Sequence, residues 1–172
     1  MRKIILLGYM GCGKSTIASR LSKRTGIPFV DLDKSIEERT NLSINEIFEQ
    51  KGELYFRKLE REIFIELLHS AETQIIGLGG GTPCYANNHE LLKGADIFSI
   101  YLKASVETLT NRLVSNKSKR PLISNKSEDE IKEFIAKHLF ERSFYYNQAQ
   151  HIVLIDGKTK EETVADILEI LA

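Results

Sequence analysis

The amino-acid sequence predicts an α/β fold, a three-layer α/β/α sandwich on a five-stranded parallel sheet. Three observations lead there. Short apolar runs of strand length alternate with longer amphipathic stretches along the 172 residues. Strands separated in this way by helices pair in parallel through right-handed crossovers. The first apolar run also passes directly into the glycine-rich turn GYMGCGKST, with strand before and helix after.

Each element has its own signal. KIILL, from Lys3, reads as a fully buried strand, and residues 15–25 as a helix closed by Gly26. IPFVDLD reads as a second, short strand with Pro28 at its entry. Ser43 and Glu46 form a capping box that opens a helix. Gly52 marks a bend, after which Phe56, Leu59, Ile63 and Leu67 trace a helical stripe. TQIIGL is the third strand and ends in GGG; IFSIYL is the fourth, followed by a helix over about 106–114. The polar, basic stretch SNKSKRPLISNKS, with Pro121 inside it, reads as a loop that can move. Ser127 and Glu130 cap the next helix, which carries Arg142 and Tyr145 on its inner face. HIVLI is the fifth strand, and Thr159 with Glu162 caps the last helix.

The length suits one domain, 1–172, able to bury about 70% of the surface its unfolded chain exposes. The 24 basic and 24 acidic residues cancel, so any anion site must be local, and neither nucleic acid nor membrane is an expected partner. Cys12 and Cys84 lack CxxC or Cys/His spacing, which disfavours a disulfide framework or structural zinc and favours the reducing cytoplasm. IILLGYMG is too short and too soon interrupted for a signal peptide or membrane span. The histidines 69, 89, 138 and 151 show no ligand spacing. Phe56, Phe64, Phe134, Phe140 and Phe144 read as packing, not as a base-stacking platform.

Gly8, Gly13, Lys14 and Ser15 satisfy G-x-x-x-x-G-K-[ST]. Glycines let backbone N–H groups point inward at phosphate oxygens, and the helix N-terminus adds roughly half a positive charge. Lys14 can bridge the β and γ phosphates, and the Ser15 hydroxyl can hold Mg²⁺. The competing reading, a glycine-rich turn with a surface lysine, loses to the correct flanks. Cys12 in the middle of the loop needs only to be small.

No N-K-x-D is present, so guanine has no support. In VDLD, Asp31 and Asp33 are two apart, and in extended chain they share one side at the crevice of a parallel sheet. One carboxylate near Mg²⁺ and one near an acceptor hydroxyl suits phosphoryl transfer. Standing alone, both aspartates as helix caps is an equal reading. Arg57 and Glu60 share a helix face, where the glutamate can orient the guanidinium; an exposed ion pair is the commoner case. Gly79, Gly80 and Gly81 leave room for a close backbone approach. Arg120, beside Pro121 in the mobile loop, is positioned to neutralise phosphate charge. Arg57 and Arg142, from different helices, suggest an anionic acceptor such as a carboxylate.

Taken in order, GYMGCGKST, DLD, FRKLE, GLGGGTP, RPL and ERSFYY resemble the shikimate kinase family across nearly the whole chain. The resemblance implies a sheet of order 2-3-1-4-5, a monomer, and ATP and shikimate as substrates with Mg²⁺, giving shikimate 3-phosphate in aromatic amino-acid biosynthesis. It implies ATP binding by Gly11, Cys12, Gly13, Lys14, Ser15 and Thr16 with Arg120 as lid arginine. Ser15 would ligate the metal, with Asp31 in its outer shell. Asp33, Arg57, Glu60, Arg142 and the Gly79–Gly81 backbone would hold shikimate, and Lys14, Asp33 and Arg120 would carry catalysis. The acceptor-binding helical region is expected at about 33–60 and the lid at about 113–125. The adenine contacts after the last strand, near Gly157 and Lys158, depart from the family pattern. The rival readings are a kinase for another polyol acid, such as gluconate, and a non-catalytic nucleotide-binding regulator, which would show no acceptor-dependent ADP release.

Overall fold

A computed structural model describes residues 2–172. Among them the chain forms five parallel strands in the order β2-β3-β1-β4-β5. Strand β1 (Lys3–Leu7) is buried at every position: β3 (Gln74–Gly77) and β4 (Ile97–Lys103) pair on its two edges, and side chains of both its faces lie in the core. That explains a run with no polar alternation. Its one cation is satisfied internally: the Lys3 amine donates to Ser70 Oγ at 2.6 Å and Glu72 O at 2.5 Å. Burial lowers its pKa, against the pull of Glu72.

Helix α1 (Lys14–Thr25) buries Ile17, Ala18 and Leu21 and ends on Gly26 at φ 74°, as its sequence predicts. The expected second strand is shorter than expected. β2 covers only Phe29–Asp31, and the next nine residues form helix α2 (Leu32–Thr40). The reading of Asp31 and Asp33 as neighbours on one strand face is therefore corrected. Asp31 is the N-cap, its Oδ1 accepting from Lys34 N at 3.2 Å, while Asp33 lies in the first turn of α2. Buried Leu32 and Ile36, four apart, fix the helical period.

Helix α3 (Ile44–Lys51) opens on the Ser43/Glu46 capping box. Gly52, at φ 84°, turns the chain into α4 (Glu53–His69), which buries Phe56 and Ile63 and packs Leu59 and Leu67 against the core. After β3 come two short 3₁₀ turns, Thr82–Cys84 and Asn88–Leu92. Helix α5 (Val106–Ser115) follows β4 and includes the first residues of the expected lid; Leu113 is a core residue. The loop beyond it forms a 3₁₀ turn, Lys117–Lys119, and is anchored by fully buried Ile123. Helix α6 (Glu128–Tyr146) and helix α7 (Lys160–Leu171) begin at the two remaining capping boxes, on either side of β5 (His151–Leu154). Phe140 and Phe144 do not join the core: they are 87% and 62% exposed, because α6 turns that stripe to solvent, where Phe144 meets the rings of His89 and Tyr145.

Candidate active site

The carboxyl ends of β1, β2 and β3 open on a cavity of about 600 Å³. Gly11, Gly13, Lys14, Ser15, Thr16, Asp31, Asp33, Gly79, Gly80 and Arg120, all expected from sequence, line it. The loop is shaped by necessity at Gly8 and Gly13. Gly13 has φ 94°, and a Cβ on Gly8 would lie 2.8 Å from both Cys12 Sγ and Leu102 O. Buried Cys12 thus fills the space the loop wraps around. Lys14 folds back on its own loop, donating to Gly8 O at 2.6 Å and Tyr9 O at 3.2 Å. Ser15 Oγ donates to Asp31 Oδ2 at 3.5 Å, which brings a hydroxyl and a carboxylate together beside the N-terminus of α1.

Asp33 faces this cavity with an altered acidity. Burial, then the nearby carboxylates of Asp31 and Glu60, push its pKa up to about 6, against the pull of Lys14. Glu60 is 1% exposed, so its pair with Arg57 is no surface ion pair. Arg57 Nη1 donates to Glu60 Oε1 at 2.9 Å, and Thr82 Oγ1 donates to Glu60 Oε2 at 2.8 Å. Arg57 Nε is buried and makes no hydrogen bond within the protein; Glu53 Oε1 lies 3.7 Å away.

The GGG turn organises these groups. None of its glycines needs a positive φ. Each is small because something charged lies on it: a Cβ on Gly79 would meet Asp33 Oδ1 at 3.0 Å, one on Gly80 Arg142 Nη1 at 3.3 Å, and one on Gly81 Arg57 Nη2 at 2.9 Å. Arg57 and Arg142 are not themselves among the residues lining the 600 Å³ cavity, but they rest on the turn that forms its wall. The inner-face tyrosine of α6 is Tyr146, not Tyr145. Its hydroxyl donates to Gly80 O at 2.5 Å and its ring is fully buried, whereas Tyr145 packs on His89. The guanidinium of Arg142 also lies 5.5 Å from the Tyr9 ring centroid.

Two cations of the site escaped sequence reasoning. Arg112 donates to Gly11 O at 3.3 Å and Cys12 O at 3.2 Å, and Lys160 brings its amine against Gly13. Both line the cavity. Burial, then Arg112, lowers the Lys160 pKa. Neither belongs to a motif, and only the three-dimensional return of α5 and α7 to the loop reveals them. Cys84, half-buried near both arginines, has its thiol pushed up to about 11 by burial.

A family model described as shikimate kinase matches residues 10–172. The shikimate kinase of Flavobacterium johnsoniae is 73% identical over 172 residues, all of both chains. The chain belongs to the shikimate kinase family. Among solved structures, the shikimate kinase of Bacteroides thetaiotaomicron shares 35% identity at a TM-score of 0.90, covering 99% of this chain and 98% of that one. That of Acinetobacter baumannii, solved in complex with shikimate, shares 29% at 0.86, covering 99% and 93%. This shikimate kinase family member therefore has the fold and strand order that its motifs imply.

Proposed function

We propose that this chain transfers the γ-phosphoryl group of ATP to the 3-hydroxyl of shikimate. The observation that carries the reading is the GGG turn, which holds Asp33, Arg142 and Arg57 on successive glycines beside the lysine of the phosphate loop. ATP phosphates take the inward N–H groups of the Gly11–Thr16 loop, and Lys14 exchanges its two carbonyl partners for phosphate oxygens. Arg112 and Lys160 add charge to the nucleotide side. Arg57 and Arg142 grip the acceptor carboxylate, with Glu60 to orient Arg57.

Mg²⁺ fits the donor set here, because that ion keeps several waters and takes one or two protein oxygens together with phosphate. The Ser15 hydroxyl would be one such oxygen, and the Asp31 carboxylate, 3.5 Å from it, would hold one of the waters. When bound, the ion neutralises charge on the β and γ phosphates.

Asp33 accepts the proton of the acceptor hydroxyl as its oxygen bonds to the γ-phosphorus and the bond to the β–γ bridging oxygen breaks. Its pKa of about 6 leaves it ionised, yet basic, at neutral pH. Arg120, which lines the cavity from the loop anchored by Ile123, neutralises phosphate charge, and closure of that loop as the lid excludes water. The reading includes a cytoplasmic monomer. No helix among the described residues is long and apolar enough to cross a membrane.

The test is coupled ADP release with ATP·Mg²⁺, comparing shikimate, quinate, gluconate and no acceptor. Turnover should require shikimate; turnover equal with gluconate, or independent of acceptor, would falsify the reading.

A further inference from the structure

Six residues close a circuit around Arg57. Its Nη1 donates to Glu60, whose other oxygen accepts from Thr82 Oγ1. Asn88 Nδ2 donates to Thr82 O at 2.9 Å. Arg61 Nη1, one turn along α4 from Arg57, donates to Asn88 Oδ1 at 3.0 Å and to Ala86 O at 2.6 Å. Beside Ala86, the Tyr85 ring comes back over Arg57, with its centroid 3.8 Å from Cζ.

The return depends on an unfavourable turn. Tyr85–Asn88 is closed by Asn88 N on Tyr85 O at 3.0 Å, and both central residues are left-handed, Ala86 at φ 51° and Asn87 at φ 55°. Alanine avoids that region, so such a turn persists only where its surroundings over-determine it. Arg61 supplies the constraint: its guanidinium ties the carbonyl of the strained alanine to the buried Asn88 side chain. Tyr85 itself is 39% exposed, so burial does not hold it there.

We infer that Arg61 is a positioning residue for the acceptor: by fixing the Ala86–Asn87 turn it keeps Tyr85 stacked on Arg57, which presets that guanidinium for the acceptor carboxylate. The inference rests on the proposed role of Arg57 in gripping that carboxylate. Tyr85 and Glu60 then hold the guanidinium plane from its face and its edge, and little rotamer freedom remains to be lost on binding.

The test compares full-length Arg57→Ala, Tyr85→Ala, Tyr85→Phe, Arg61→Ala and Tyr85→Ala/Arg61→Ala by shikimate KM, ATP KM and kcat. Tyr85→Ala and Arg61→Ala should each raise shikimate KM about 3–10-fold, with ATP KM unchanged. The double variant should be no worse than the worse single one, because both act through one contact. Tyr85→Phe, which keeps the ring face, should recover most of the affinity. Additive effects, an unchanged shikimate KM, or a parallel rise in ATP KM would overturn the inference. Exposed Tyr85 can be truncated without disturbing the core, so an unchanged shikimate KM in Tyr85→Ala overturns the inference even if Arg61→Ala does not fold. Arg61→Lys, which cannot bridge Ala86 and Asn88 as the guanidinium does, should then raise shikimate KM in its place; an unchanged value there also overturns it. Arg57→Ala separates the two levels: if it leaves shikimate KM unchanged the reading of Arg57 is wrong. If it raises KM while Tyr85→Ala does not, only the inference fails.

Discussion

Asp33 stands on the first turn of α2, where burial and the carboxylates of Asp31 and Glu60 push its pKa from 3.8 up to about 6. Two consequences follow, with opposite signs for activity and stability. Activity requires the ionised form, so kcat/KM should rise about tenfold per pH unit to near pH 6 and then level off. Stability runs the other way. The folded chain binds a proton that the unfolded chain has released between pH 3.8 and about 6, so this group's contribution falls across that window and stays lost above it. Asp33→Asn should therefore lower kcat about 10²–10⁴-fold and abolish the acid limb. The same variant should raise stability at pH 7 by about 1–3 kcal/mol, read from urea denaturation. A variant no more stable than the parent would show that the carboxylate is not strained. Asp33 was visible as an acidic residue near the sheet's edge, but its setting was not. The strand expected through VDLD stops at Asp31, because that side chain caps a helix, and a three-residue strand leaves no periodicity to read.

The segments between strands and helices show a similar division. Capping boxes at Ser43, Ser127 and Thr159 are written locally, in residues three apart, and each opens the helix it predicts. Ser127→Ala should cost about 0.5–2 kcal/mol in thermal unfolding, with shikimate KM unchanged because Arg142 lies at the other end of α6. The GGG turn is different. Its composition announced a close approach, but three successive contacts with Asp33, Arg142 and Arg57 come from α2, α6 and α4, which no local pattern connects. The same holds for Arg112 and Lys160, and for Tyr146 in place of Tyr145. Gly81 has φ −93°, which alanine adopts without strain. Gly81→Ala should raise shikimate KM at least about tenfold and lower stability by about 1–3 kcal/mol, since its methyl displaces Arg57 from buried Glu60. Equal loss of ATP affinity would count against this assignment.

Across the molecule, the site divides between two sets of elements. The loop after β1, α5 and α7 supply Lys14, Arg112 and Lys160; α2, α4, α6 and the turn after β3 supply Asp33, Arg57 and Arg142. With no net charge over the chain, each set must attract its anion through its own cations. Arg112→Ala should raise ATP KM about tenfold with little effect on shikimate KM, and Arg142→Ala should do the reverse; steady-state kinetics with each substrate varied measures both. The five parallel strands followed from the alternation of strand and helix along the chain, and their order 2-3-1-4-5 from the family resemblance of the motifs. The pairing of side chains across that architecture depends on how helices turn about their axes, which one sequence does not state.

A single tripeptide after β3 touches the proposed proton acceptor and both proposed carboxylate ligands at once. Any displacement of that backbone therefore shifts three chemistries together. Laboratory evolution toward a different polyhydroxy acid would stall if positions around it were varied one by one, since each gain in fit at one neighbour is offset by misplacement at the other two. Transplanting the tripeptide and its three facing side chains as one cassette avoids that conflict.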